Sequence, residues 1–215
     1  MRKKKGKQRR RIKKLRILAA SDIHGDRELV KKLAEKAAKK KVDVVVLCGD
    51  LTFAELSLEG LIGPFKEKKK KVIIIPGNHE TVATIDFLAK VYSPGTYNLH
   101  GYSIKIGDVG FFGAGLSNIG IFQFDESEIE KILMKAYEGI KDTRKKVLVT
   151  HTPPYGTKLD NIGFHTGSKG IRRVIEKLKP DLVLCGHIHE TFGKEDKIGK
   201  SRIINVGRKG KIIEI

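Results

Sequence analysis

The stretch that decides the fold runs from Val42 to Leu51 and reads VDVVVLCGDL. Its apolar residues end at Gly49, and the next residue is the carboxylate Asp50. A buried strand that ends at a glycine and is followed by an acid is typical of a parallel α/β sheet, in which functional groups lie just beyond the carboxyl ends of the strands. The stretch therefore predicts a central strand whose carboxyl end belongs to a functional site.

Four other stretches have the same design, and each ends in residues that can bind a metal ion. They are LRILAASDIH, which ends in Asp22 and His24; KVIIIPGNHE, which contains Asn78 and His79; KVLVTH, which ends in His151; and LVLCGHIH, which contains His187 and His189. Because the carboxyl ends of parallel strands meet at one edge of a sheet, we expect these residues to lie close together. The sequence predicts one site built from five strand ends.

Strands and helices alternate over the first half of the chain, which predicts a parallel sheet with right-handed crossovers. The helices predicted there span residues 26–40, 54–67 and 81–91, the second of them interrupted near Gly63 and Pro64. Two further helices are predicted at 126–140 and 168–179. The long loop 152–167 between them can form a lid over the site.

The pattern changes to hairpins in the second half of the chain. One hairpin joins residues 102–106 to 109–113 and is expected to belong to a second sheet, and a closing hairpin joins 202–206 to 211–215 across Arg208, Lys209 and Gly210. We find no internal repeat and no linker. Residues 15–215 are therefore predicted to form one α/β domain.

Composition predicts a soluble, cytoplasmic protein. No apolar run approaches the roughly 20 residues that a membrane-spanning helix needs, and the N-terminus has no apolar signal segment. The two cysteines, Cys48 and Cys185, follow apolar runs and are interpreted as buried thiols rather than as ligands. The many Lys and Glu residues would suit a thermophile.

The net charge of +19 is concentrated at the N-terminus, where 11 of the 44 Lys and Arg residues fall within the first 16 positions. Residues 1–14 have no hydrophobic periodicity and are predicted to form a disordered basic arm. Three interpretations stay open for this arm: a solvated tail, a segment that binds RNA or another polyanion, and a start site assigned too early.

The residue types at the five strand ends suit a pair of divalent cations. Seven of these residues offer carboxylate, amide or imidazole ligands: Asp22, His24, Asp50, Asn78, His151, His187 and His189. One aspartate can bridge two ions because each of its oxygens can face a different ion. Four imidazoles without a thiolate favour Mn, with Fe, Ni, Co or Zn as alternatives, over Mg.

The motifs Asp22-x-His24, Gly49-Asp50, Gly77-Asn78-His79-Glu80, His151 and Gly186-His187-x-His189 resemble, in this order, those of the calcineurin-like metallophosphoesterase family. The resemblance spans about residues 15–215, and the short chain is similar to the small bacterial and archaeal phosphodiesterases of that family. It implies a two-sheet β-sandwich flanked by helices, in an α/β/β/α arrangement.

The resemblance also implies a role for each site residue. Asp22, His24 and His189 would hold the first metal, Asn78, His151 and His187 the second, with Asp50 between them. His79 would face the phosphate as a catalytic group, and Glu80 would orient His79. A metal-bound hydroxide would attack the phosphorus atom.

The substrate is expected to be a small phosphate ester, first of all a small or nucleotide-type phosphodiester. Three alternatives stay open: a phosphomonoesterase, a non-catalytic scaffold with the same fold, and an RNA-associated protein. His165 and Ser168 lie beside a predicted helix N-terminus, where anions bind favourably, and are candidates for contact with the phosphate.

Overall fold

A computed structural model of the chain describes residues 14–215. A five-stranded sheet, which we call the first sheet, holds four parallel strands and one antiparallel edge strand in the order β11-β1-β2-β3-β4. Its strands are β1 (Arg16–Ala20), β2 (Val44–Cys48), β3 (Lys71–Ile75), β4 (Thr96–Asn98) and β11 (Lys211–Glu214). The helices that connect its parallel strands are α1 (Arg27–Lys39), α2 (Gly63–Glu67) and α3 (Val82–Val91).

The second sheet has six strands in the order β5-β6-β7-β8-β10-β9, of which the four central ones are parallel. Its strands are β5 (Ser103–Ile106), β6 (Val109–Ala114), β7 (Lys145–Thr150), β8 (Leu182–Cys185), β9 (Glu195–Ile198) and β10 (Ser201–Asn205). Helices α4 (Glu126–Glu138) and α5 (Lys169–Leu178) lie on its outer face.

Three apolar clusters show how the layers pack. In β2, the side chains of Val44 and Val46 face the second sheet, while those of Val45 and Leu47 face the helices. This alternation follows from the two-residue period of a strand, and both faces of the sheet are covered, which explains the continuous apolar run in the sequence. The predicted arrangement of two sheets flanked by helices is confirmed.

The predicted closing hairpin is wrong. Strand β10 pairs with β8 and β9 in the second sheet, whereas β11 pairs with β1 in the first sheet. Residues 206–210 therefore cross from one sheet to the other. The hairpin partner of β10 is β9, a charged edge strand whose sequence EDKI gives little apolar signal. The hairpin predicted before it, between β5 and β6, is confirmed.

The helix predicted over residues 54–67 is also largely wrong. Only Gly63–Glu67 is helical, and Pro64 lies in the first turn of α2 instead of interrupting a longer helix. Proline suits this position because the first helical N–H groups have no partner within the helix. Residues 49–62 are consequently a long loop that begins at the carboxyl end of β2. The short edge strand β4 was not predicted.

The predicted metal ligands and the start of the described chain lie at opposite edges of the sandwich. The carboxyl ends of the parallel strands lie at one edge and hold the predicted metal ligands, whereas Lys14, the first described residue, precedes β1 at the opposite edge. The basic arm predicted for residues 1–14 lies, apart from Lys14, outside the described residues. Among the described helices, none has the length and apolarity required to cross a bilayer.

Candidate metal centre

The structure brings the seven predicted ligands together at one edge of the sandwich. His151 is central: its Nε2 atom lies 3.1 Å from Oδ1 of Asn78 and 3.4 Å from Oδ2 of Asp50. The Nε2 atom of His24 lies 3.7 Å from the same Asp50 oxygen. These contacts connect residues from the ends of β1, β2, β3 and β7.

The predicted ligands include two clusters of side chains that could each hold a metal ion. In the first, ligand atoms of Asp22, His24 and His189 all lie within 4.8 Å of one another, and in the second the same holds for Asp50, His151 and His187. Asp50 also groups with His24 and His79, so that it is shared between the two sides of the site. An aspartate shared in this way suits a bridging ligand.

Hydrogen bonds to the backbone orient the imidazole rings. Nδ1 of His151 lies 2.8 Å from the carbonyl oxygen of Cys48, and Nδ1 of His24 lies 3.3 Å from that of Thr52. A carbonyl oxygen can only accept, so Nδ1 carries a proton in both rings, and Nε2 is the ring atom that faces the cluster. Histidine ligands are held in this way in metalloproteins.

The electrostatics of the site favour positive charge at its centre. Burial opposes ionisation of Asp50, but the nearby His151, His79 and His24 outweigh it and hold the pKa of this carboxyl below its usual value. Burial alone would lower the pKa of His151, yet the charge of Asp50 raises it to about 9. Burial lowers the pKa of His187 to about 3, so that this ring is neutral and able to bind a metal. The donor set therefore fits divalent cations.

The backbone at the ligands is strained. Asp22, His24, Asp50 and His187 have φ values of 56°, 50°, 51° and 69°, in the left-handed region that residues with a side chain seldom adopt. Such conformations persist only where the surrounding structure enforces them, and they concentrate at functional sites. Four of the seven predicted ligands share this feature.

Close approach of two strand ends requires glycine at position 77. A Cβ atom on Gly77 would lie 1.9 Å from Oδ1 of Asp50 and 2.3 Å from its backbone nitrogen. No side chain fits at these distances. The glycine of the Gly-Asn-His motif is thus explained by the contact between the β2 and β3 ends.

The structure places His79 beside Asp50 but gives Glu80 a different role from the predicted one. The backbone N–H of His79 donates to Oδ1 of Asp50 at 3.1 Å, while its buried Nδ1 has no hydrogen-bond partner among residues 14–215. The carboxylate of Glu80 accepts from the backbone of Thr52 and Gly77, at 2.6 and 2.8 Å. Glu80 therefore joins the loops after β2 and β3 and does not orient the His79 ring.

The side chains of His165 and Ser168, the predicted phosphate contacts, bond to other residues of the chain. The hydroxyl of Ser168 is buried, accepts from the backbone N–H of Ile171 and donates to Glu126, so it caps α5. Nδ1 of His165 lies 3.0 Å from the buried carboxylate of Asp160. Neither residue belongs to the ligand clusters.

Two residues near the site were missed by sequence reasoning. The ring of Phe53 stacks on His79, with centroids 5.0 Å apart, and is 57% exposed. The hydroxyl of Ser117 lies 3.0 Å from Nε2 of His187. Phe53 could have been noticed because it comes three residues after Asp50, but nothing in the sequence marks Ser117.

Comparison with known proteins identifies the family. A family model described as calcineurin-like phosphoesterase matches residues 15–191. The chain belongs to this family. Protein MJ1162 of Methanocaldococcus jannaschii is 33% identical to it over 205 residues, covering 90% of this chain and 88% of that relative.

Solved structures of other proteins share the fold. TT1561 of Thermus thermophilus superposes with a TM-score of 0.76 and 20% identity, over 93% of this chain and 98% of TT1561. A protein described as a novel archaeal phosphodiesterase superposes with a TM-score of 0.55 and 17% identity, over 94% of this chain and 100% of that protein. These likenesses concern the fold.

Proposed function

We propose that this family member is a dinuclear-metal-dependent hydrolase that cleaves phosphodiesters of small or nucleotide type. The observation that carries the proposal is the position of Asp50, which is shared between two groups of metal-binding side chains. A pair of cations bridged by one carboxylate is a common arrangement for phosphate ester hydrolysis.

Each ligand has a defined task in this proposal. Asp22, His24 and His189 would hold one cation, and Asn78, His151 and His187 the other, with Asp50 between them. When bound, such cations supply Lewis acidity toward phosphoryl oxygens and lower the pKa of water. Mn is the first choice because it suits the hard carboxylate and amide oxygens, and Fe, Ni, Co or Zn are alternatives that the four imidazoles also suit.

The position of His79 supports a role in proton transfer. In the overall reaction water loses one proton as its oxygen forms a bond to phosphorus, the ester P–O bond breaks, and the leaving alcohol oxygen takes up one proton. Nε2 of His79 lies 3.9 Å from Asp50, and the imidazole side chain is 17% exposed, so substrate can reach it. We assign His79 to donate the proton to the leaving oxygen, which general acids typically do with a 10²–10⁴-fold effect on rate.

A phosphodiester is preferred over a monoester because the chain has the size and fold of a protein described as an archaeal phosphodiesterase, which it covers over its whole length. Phosphomonoester hydrolysis is the alternative.

The deciding experiment is hydrolysis of bis(p-nitrophenyl) phosphate and p-nitrophenyl phosphate by the Mn²⁺-loaded protein, with chelator as control. We expect metal-dependent cleavage of the diester. Cleavage of the monoester alone would make the protein a phosphatase. No cleavage of either, in protein shown to contain metal, would favour a scaffold of the same fold.

Two expectations from composition stay predictions. Contact of residues 1–14 with RNA would appear as an affinity that falls steeply with salt and is lost when those residues are deleted. The cytoplasmic location requires direct observation in cells.

A further inference from the structure

Exposed apolar side chains are concentrated in three loops that begin at the carboxyl ends of β2, β6 and β7. Among residues 14–215, ten large hydrophobic side chains are exposed, and seven of them lie in the three loops 49–62, 115–125 and 151–168. The seven are Phe53, Leu56, Ile119, Ile121, Tyr155, Ile162 and Phe164. We call them the apolar rim. Contiguous apolar groups exposed to water usually mark a binding surface.

Two of these loops reach adjacent site residues, the first His79 and the second Asn78. The Phe53 ring stacks on His79, as described above. In the second loop, the α-carbon of Gly120 approaches Asn78 so closely that a Cβ atom would lie 2.5 Å from its Nδ2, and the N–H of Phe122 donates to the Asn78 carbonyl. Ile119 and Ile121, which flank Gly120, are 51% and 59% exposed beside this contact.

The third loop is joined to the second and has a hydrogen-bonded frame. The side-chain amide of Asn118 donates to the carbonyl oxygen of Thr166 at 3.1 Å. The buried carboxylate of Asp160 accepts from the backbone of Gly156, Thr157 and Gly167. The exposed Ile162 and Phe164 are therefore carried on an organised loop rather than on an irregular chain segment.

The chemistry of the rim favours a hydrocarbon chain. Four of its seven members are branched aliphatic side chains, at positions 56, 119, 121 and 162, which offer apolar area but no groups that recognise the polar edge of a base. A polar cluster with exposed apolar side chains in the loops beside it matches a molecule with a phosphate at one end and a chain at the other. Contact with alkyl groups makes the free energy of binding more favourable in proportion to the apolar area removed from water.

We propose that the apolar rim binds the alkyl or isoprenoid chain of a lipid-type phosphoester, so that one of the two alcohols of the substrate carries a long hydrocarbon chain. The inference rests on the proposed phosphoesterase activity and specifies its substrate class. The other alcohol of the diester can still be small or nucleotide-like.

The test is calorimetric binding of methyl-, butyl- and octylphosphonate, below micelle concentrations, to the full-length Mn²⁺-loaded protein. Full burial of one methylene raises affinity about fourfold, and on an open rim we expect about a twofold gain for each methylene. The rim variant combines Ile119→Ser with Ile121→Ser, which should flatten the dependence on chain length.

A matched control exists on α3, where Phe87 and Val91 are each 54% exposed but lie outside the three loops. Phe87→Ser combined with Val91→Ser removes comparable exposed apolar area and should leave the chain-length dependence intact. Since all four positions are at the surface, both variants are expected to fold, and circular dichroism checks this.

The affinities of the wild type and the two variants separate the proposal from its alternatives. Equal affinity for the three phosphonates in the wild type, or a chain-length dependence that survives in the rim variant, overturns the proposal. The proposal is also overturned if the wild type is a dimer, the rim variant is a monomer, and affinity does not change with chain length. The rim would then join two copies of the chain. A chain-length dependence that only the rim variant loses, together with no ester hydrolysis, would refute the proposed activity but leave the rim as a chain-binding surface.

Discussion

One oxygen of the Glu80 carboxylate accepts hydrogen bonds from both the backbone N–H and the hydroxyl of Thr52, at 2.6 and 2.8 Å. Its other oxygen accepts from the N–H of Gly77 at 2.8 Å. The loop after β2, which carries Asp50, is thereby tied to the loop after β3, which carries Asn78. This buried acid is a positioning residue for ligands from two strands.

Replacing Glu80 should therefore affect stability and metal binding together. In Glu80→Gln, the NH₂ group of the new amide cannot accept, so one buried N–H loses its partner at a cost of about 1–3 kcal/mol. We expect the Tm to fall by about 2–10 °C and metal affinity to weaken. Glu59→Gln is the matched control in the same loop, because Glu59 is exposed and pairs only with Arg27. Identical melting curves for the Glu80 variant and the wild type would contradict the bracing role.

Asp50 and His79 should respond differently to replacement by alanine. Asp50→Ala removes the carboxylate shared between the ligand groups, so both the bound metal and activity should be lost. His79→Ala should retain the metal and lose about 10²–10⁴-fold in kcat, as expected for removal of a general acid. Metal content by elemental analysis, measured beside hydrolysis, separates the two. Equal metal loss in both variants would make His79 a ligand, which its grouping with His24 and Asp50 also permits.

The candidate ligands could be predicted because each is coupled to a strand end by a few residues. An apolar run such as that of β2 predicts a buried strand, and the residue after Gly49 must then appear at its carboxyl end. This local rule applies to Asp22, Asp50, Asn78, His151 and His187 alike. No long-range contact has to be known to place them at one edge.

Other features depend on contacts between distant segments. The turn Arg208-Lys209-Gly210 is compatible with a hairpin, but β11 instead pairs with β1, where Glu214 forms an ion pair with Arg16 at 2.6 Å. The partners of Glu80 were misassigned for the same reason, because Thr52 lies 28 positions away. Sequence spacing does not show which of two nearby groups an acid will meet.

Gly77 should tolerate no side chain. In Gly77→Ala, the added Cβ would overlap the carboxylate and backbone of Asp50, so either the strand ends separate or Asp50 moves. Overpacking of this kind typically costs about 1–3 kcal/mol, and we expect weaker metal binding by calorimetry as well. Gly63→Ala serves as the control, since its Cβ would meet only the Tyr92 ring at 3.8 Å. Unchanged metal affinity in Gly77→Ala would mean that Asp50 is not fixed by this contact.

Glu195 connects the two sheets, and its contribution to stability should depend on pH. This residue of β9 pairs with Arg202 of β10 and with Lys211 of β11 in the first sheet. The pKa of Glu195 is lowered to about 2 from its usual 4.5. The hydrogen bond from Arg202 has the largest effect and that from Lys211 adds to it, while burial acts in the opposite direction. A carboxyl whose pKa is lowered by folding stabilises the folded state at pH values above its pKa in the unfolded chain. This stabilisation is lost as the pH falls through its pKa in the folded protein.

We therefore expect Glu195→Gln to be less stable than the wild type at pH 7, by no more than about 1 kcal/mol because the pair is partly exposed. The difference should stay constant down to about pH 5 and disappear progressively between pH 4.5 and about 2. Urea unfolding at a series of pH values measures this. Glu138→Gln, which removes an exposed ion pair between the last residue of α4 and Lys141, should change stability much less at pH 7. A difference between Glu195→Gln and the wild type that persists unchanged at pH 2 would show that the loss comes from packing rather than from charge.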